Sequence, residues 1–253
     1  MASTDTSTSF LRALASSSKP RRDTALSSLR TYLTSKPTFT VLDTQKLQKA
    51  LFYTLYMQDK PRNQQRLSIA LGELNQCFKT NDDAGRENFL NWQRAFWDTM
   101  IAQWGGLDKW RVDKFLFLVR REVYEGLRVL AASGWEDGFV SEWLKVLEET
   151  VLAPRDVKIP LSLKLHVVDI WVDEVGNADE ERKAPMEKLL APIRRLASDS
   201  VVKSVRNRVK EALEDDRLEE WGIVSQTEIE GEDLNGQDDE EPEGEWTGFD
   251  DDE

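Results

Sequence analysis

The chain has 253 residues, 40% of them apolar, which is ample for a sizeable core without disulfides or metals. Its one cysteine, Cys77, excludes an intramolecular disulfide and suits a reducing compartment such as cytosol or nucleus. The net charge of −13 is a local feature: 14 of the 47 acids, and no Lys or Arg, fall between Ile223 and Glu253, so the first 222 residues hold 33 acids against 34 bases. A charge-balanced body of this kind is not a dedicated nucleic-acid binder by charge alone.

The first residues, MASTDTSTSFLRALASSSKPRR, lack the apolar stretch of a secretory signal but share the Ser-rich, acid-poor character of transit peptides. The spacing of Phe10, Leu14, Leu26, Leu29 and Leu33 instead predicts the first helical pair. In KALFYTLYMQDKP (49–61) apolar side chains cover most of a helix circumference, which predicts a helix buried on most sides. QDKP then predicts a helix-to-helix turn, with Pro61 at the first position of the next helix. Leu67, Leu71, Leu74 and Phe78 form one stripe, and Phe89, Trp92, Phe96, Met100 and Trp104 another. Val112 to Leu130, Val140 to Val151, Leu161 to Val175, Met186 to Leu196 and Val202 to Leu213 continue the pattern at helical spacing.

About ten helices joined by short turns predict an all-α fold of antiparallel helical hairpins. Pairs recur about every 40 residues, as in HEAT or armadillo arrays, without sequence self-similarity at that period. The expectation is an irregular helical stack over residues 1–222, followed by a disordered acidic tail, 223–253. No apolar run approaches the length of a transmembrane helix, so no membrane is expected as partner.

Chemistry has little to work with. His166 and Cys77 stand alone, and there is no nucleophile elbow, P-loop or dinucleotide fingerprint. His166, Asp169 and Asp173 share one helix face, which more often means solvated or hydrogen-bonded surface than a metal site. No enzyme, metal, cofactor or small-molecule substrate is expected. Trp92, Trp104 and Trp143 fall on core stripes, whereas Trp110, Trp135 and Trp221 sit at helix ends and are the candidate exposed anchors. Lys203, Arg206 and Lys210 make a cationic face near Arg194, Arg195 and Arg208, a candidate contact for a partner or for RNA phosphate. In the tail, Trp246 and Phe249 flanked by acids form a candidate docking motif for a basic, partly apolar groove.

KALFYTLYMQDKP, WQRAFWDTMIAQWGGLDKWRVDKFLFLVRR (92–121), IPLSLKLHVVDIWVDEV (159–175) and LLAPIRRLA (189–197), in this order, resemble the nucleolar ribosomal RNA-processing protein 1 family. The resemblance covers about Phe10 to Leu213. It implies an all-helical, noncatalytic assembly factor of the nucleus and nucleolus, a docking scaffold in pre-rRNA processing on the way to the large ribosomal subunit. Implied partners are other large-subunit assembly factors and ribosomal proteins within a preribosomal particle, with contact to pre-rRNA. In the second block it points to Lys109, Arg111, Lys114, Arg120 and Arg121 as partner-facing charge. Two departures stand out: Ser162 occupies a place where a glycine is expected, and the chain ends in acid where the family often carries a basic extension. The rival expectation is a generic α-solenoid adaptor that binds peptides in the cytosol or mitochondria.

Overall fold

The computed structural model describes residues 10–223, apart from 11, 15, 17, 36 and 37. Nine α-helices lie wholly among them: α1 (Lys19–Ser35), α2 (Val41–Tyr56), α3 (Pro61–Gly72), α4 (Asp83–Gln103), α5 (Val112–Ala132), α6 (Asp137–Glu148), α7 (Leu161–Ala178), α8 (Met186–Asp199) and α9 (Lys203–Leu213). Short 3-10 turns follow α3, α4 and α9. The described residues contain no strand, and no helix among them is long and apolar enough to cross a membrane.

Local chemistry sets the helix starts. Thr40 and Asp43 close a capping box on α2, each side chain accepting from the other's amide. Pro61 opens α3, where its missing N–H has no intrahelical partner to lose. The Asp82 carboxylate accepts from the Gly85 amide at 2.7 Å and caps α4.

The most extensive packing joins helices two apart in sequence, α2 with α4, α3 with α5 and α5 with α7; α9 packs on both α7 and α8, while α2 and α3 touch little. The hairpins therefore stack into two layers. In the even layer (α2, α4, α6, α8) the helices run parallel, as Tyr53 with Gln103, Arg94 with Glu149 and Arg195 with Glu148 show by pairing C-terminal halves. The odd layer (α3, α5, α7, α9) is also parallel internally: His166 meets Leu116, Arg120 meets Glu174, and Arg208 meets Asp169. Helix α1 extends this layer, its Arg30 paired with Glu73 at 2.6 Å.

The core lies between the layers. Phe52 stacks on Phe115 with centroids 4.4 Å apart, and Trp143 stacks on Trp171 at 6.0 Å. Gly126 lets α5 approach α6, because a Cβ there would stand 3.1 Å from the Trp143 ring. The apolar helix α2 is buried less completely than its sequence predicts: Leu51, Phe52 and Leu55 are buried, but Tyr53 and Met57 are exposed. Only α4 flanks α2 within its layer, so one side stays in water.

Turns are locked by a recurring device invisible as sequence identity. At the fourth residue of α1, α3, α4 and α9, a polar side chain donates to the carbonyl six residues upstream: Arg22 to Ser16, Gln64 to Gln58, Arg86 to Thr80 and Arg206 to Ser200, at 2.7 to 3.0 Å. Each bond satisfies a carbonyl the helices leave unpaired.

Antiparallel layers give the stack two edges. One, called the open edge, gathers the turns from α2 to α3, α4 to α5, α6 to α7 and α8 to α9. The other, the closed edge, gathers the turns from α3 to α4, α5 to α6 and α7 to α8.

Candidate docking surface

The residues with catalytic or metal-binding potential are committed to the fold. His166 Nε2 lies 2.9 Å from the Leu116 carbonyl, and burial pushes its pKa down, so the ring is a neutral donor tying α7 to α5. Asp169 pairs with Arg208, and Asp173 bridges Arg120 and Arg217. Cys77 is half-buried in apolar surroundings that raise its thiol pKa, the opposite of an activated nucleophile. No group of three or more His, Cys, Asp or Glu among the described residues could hold a metal.

The candidate cations divide by environment. Lys114 is buried: its Nζ donates to the Tyr56 and Gln58 carbonyls at 2.7 and 2.8 Å, and desolvation, with Arg111 nearby, lowers its pKa to about 8. It clamps the end of α2 and faces no partner, which corrects the sequence expectation. Lys164 repeats the device on α7, donating to Ala153 at 2.6 Å. Arg120 is held by Asp173 and Glu174, and Arg121 pairs with Glu125 and stacks on Tyr124. Arg194 pairs with Glu187, Arg195 with Glu148 at 3.2 Å, and Arg206 locks the turn before α9. Arg111 pairs with Asp108 and lies over the Tyr56 ring. Lys109, Lys203 and Lys210 remain exposed without a carboxylate partner among the described residues.

Trp92, Trp104 and Trp143 are buried as the stripes predict, and Trp97 and Trp171 join them. Of the three candidate anchors only Trp110 is open, at 79% exposure, with Lys109 Nζ 4.8 Å from its ring centre. Trp135 has φ 58° and folds back onto the core, its N–H bonded to the Leu130 carbonyl. Trp221 donates to Asp179 Oδ2 at 2.8 Å beneath the Arg182 guanidinium. Both had looked exposed because a helix end in sequence gives no sign of the loop that covers it. Ser162 also finds a purpose: its hydroxyl accepts from Trp104 Nε1 at 2.9 Å, joining the turn before α5 to α7. Trp246 and Phe249 lie outside the described residues.

Sequence reasoning missed a polar network sealed between the layers. The Gln93 amide donates to Glu122 and Asn75 at 2.8 and 2.9 Å and accepts from Trp143 Nε1 at 3.0 Å. Burial raises the Glu122 pKa to about 8, with the Glu125 charge adding to the rise. This network fixes the register of α4, α5 and α6.

Residues 5–248 match the model of a family described as nucleolar protein, Nop52. The chain belongs to that family. Among the relatives of this Nop52 member are proteins named ribosomal RNA processing protein 1 homolog. The Mus musculus homolog A is 34% identical over 169 residues, covering 65% of this chain and 33% of the relative. The Homo sapiens homolog A is 29% identical over 243 residues, covering 91% and 51%. The Homo sapiens homolog B is 33% identical over 173 residues, covering 66% and 22%. The aligned part thus spans about half or less of each of these relatives.

Proposed function

We propose that the chain acts in the nucleolus as a noncatalytic docking scaffold in ribosomal RNA processing and ribosome biogenesis, on the path to the large subunit. The carrying observation is the contrast between spent chemistry and free surface: His166, Asp169 and Asp173 are paired within the fold and Cys77 is half-buried, while cations and apolar side chains stand unpaired along the turns. The match to the nucleolar family and the names of the relatives support the same reading.

A rigid stack of this kind works by placement. Two antiparallel layers with a sealed core present turns at fixed intervals, so assembly factors and pre-rRNA segments docked to them are held in a set geometry. Several modest contacts then combine through effective concentration. Affinity purification of the tagged full chain from nuclear extract, at low and moderate salt, tests this reading. Recovery of large-subunit precursor RNA with assembly factors is expected, and salt resistance would mark protein docking over phosphate contact. Recovery without pre-ribosomal RNA, or a tag spread through cytosol or mitochondria, would return the chain to the class of generic peptide-binding adaptors.

A further inference from the structure

The open edge carries a repeated pattern. Each of its four turns exposes a large apolar side chain beside a cation: Met57 before Lys60, Trp110 after Lys109, Val157 before Lys158, and Val201 before Lys203. Val157 is 85% exposed, Val201 65% and Met57 63%. Lys60, Lys109, Lys158 and Lys203, with Arg62 and Arg155, have no carboxylate partner among the described residues. Asp59, Asp108, Asp113, Glu149, Asp156 and Asp199 share the edge; with Arg111 and Arg206 among the cations it stays net positive.

This arrangement works against helix stability. Acids are favoured in a first turn, where the dipole is positive, yet of the four helices that begin after these turns only α5 has one, Asp113, and α3, α7 and α9 have none. By contrast α2, α4, α6 and α8, which start at the closed edge, carry Asp43, Asp83, Asp137 and Glu187 there. A row of unpaired cations interleaved with Met, Trp and Val fits an acidic segment with apolar anchors. Phosphate alone would leave the aliphatic members unused.

The chain supplies such a segment. Between residues 224 and 253 it holds 14 acids and two anchors, Trp246 and Phe249. Three residues of extended chain span about 10 Å, close to the roughly 8–10 Å between neighbouring packed helices. Two anchors three apart therefore suit two adjacent turns of the edge. The tether also fits. Ile223 is buried, and Trp221 just before it bonds Asp179 beyond the C-terminal end of α7, so the segment departs from the closed edge. Helix α7 has 18 residues, a length of about 27 Å. The 23 residues from Ile223 to Trp246 could reach up to about 75 Å if fully extended, so the segment is long enough to bring Trp246 to the far edge.

We infer that in the free chain the open edge is occupied in cis by the chain's own acidic C-terminal segment, with Trp246 and Phe249 seated on the apolar side chains of adjacent turns. Any partner of this edge must then displace it.

The test is paramagnetic relaxation in the full chain, with Cys77→Ser and a nitroxide on Thr247→Cys, which leaves both anchors in place. Attenuation is expected at the amides of Trp110, Val157 and Val201 and not at Trp135. It should fall by more than half with Trp246→Ala and Phe249→Ala together, and equally with Lys109→Ser, Lys158→Ser and Lys203→Ser together. Equal attenuation at both edges, or none, overturns the assignment. So does attenuation seen only between mixed copies, which would assign the segment to a second molecule. If a single-stranded RNA shifts the edge amides with the same affinity in wild type and in the anchor double variant, the edge belongs to phosphate and the assignment again fails.

Discussion

The two edges of the stack are built from the same helices and solve opposite problems. At the closed edge, acids at the helix starts meet the dipoles and the turns are pinned: Arg86 pairs with Glu136, Lys188 with Asp137, and buried Asp179 accepts from the Lys183 and Ala184 amides and from Trp221. Tryptophans there are folded away. At the open edge the first turns carry cations, and Trp110, Val157 and Val201 face water. The open edge gives up stability that the closed edge keeps, and substitutions at the two edges should separate them.

The largest effect is expected at the closed edge. Replacing Asp179 with Ala leaves two amides and an indole N–H without their acceptor, and should lower unfolding free energy by about 3 kcal/mol in urea titration. A change under 1 kcal/mol would mean that this edge is not pinned as described. Next comes Lys114→Met, which strips two carbonyls beneath the open edge and should lower unfolding free energy by about 2 kcal/mol. That loss would show the open edge to be anchored from below while free above.

A third effect, smaller per pH unit, lies in the core that both edges share. Glu122 holds its proton in the folded state up to about pH 8, whereas an unfolded glutamate releases it near its ordinary value of 4.5. The folded state thus binds the extra proton between those limits, so stability should fall as pH rises through that window, by at most about 1.4 kcal/mol per pH unit. Glu122→Gln should flatten the slope measured by denaturant titration from pH 5 to 8. An unchanged slope would contradict the sealed network. The smallest effect on stability belongs to the open-edge surface: Trp110→Ser, Val157→Ser and Val201→Ser should each stay within about 0.5 kcal/mol of wild type, measured by the same titration.

Much of this architecture was legible from residue spacing. The stripes from Leu67 to Leu213 mark helix faces that are largely buried, although Leu161 and Val202 at the starts of α7 and α9 are exposed, and Pro61 and the Asp59–Lys60 pair mark a turn. Period 3.6 identifies a face without saying which helix covers it, so the order of the layers, with contacts two helices apart, stayed hidden. Lys114 illustrates the cost. It reads as surface charge beside Arg111 and Arg120, but its ammonium fills a hole made by carbonyls more than fifty residues earlier in the chain. Composition placed Ile223 in the tail, yet it packs on the core, because one apolar residue at a boundary weighs little in an average. The open edge was visible in pieces as four unrelated turns. Only parallel packing within each layer aligns Met57, Trp110, Val157 and Val201.

The most direct measurement compares three tagged full-length chains purified from nuclear extract at the same salt: wild type, an open-edge variant (Lys109→Ser, Trp110→Ser, Lys158→Ser, Lys203→Ser) and a closed-edge variant (Lys79→Ser, Lys183→Ser). The wild type and the closed-edge variant should recover pre-ribosomal RNA and assembly factors alike, and the open-edge variant should lose most of them while remaining folded. Equal recovery by all three, or loss confined to the closed-edge variant, would contradict a scaffold that docks through its open edge.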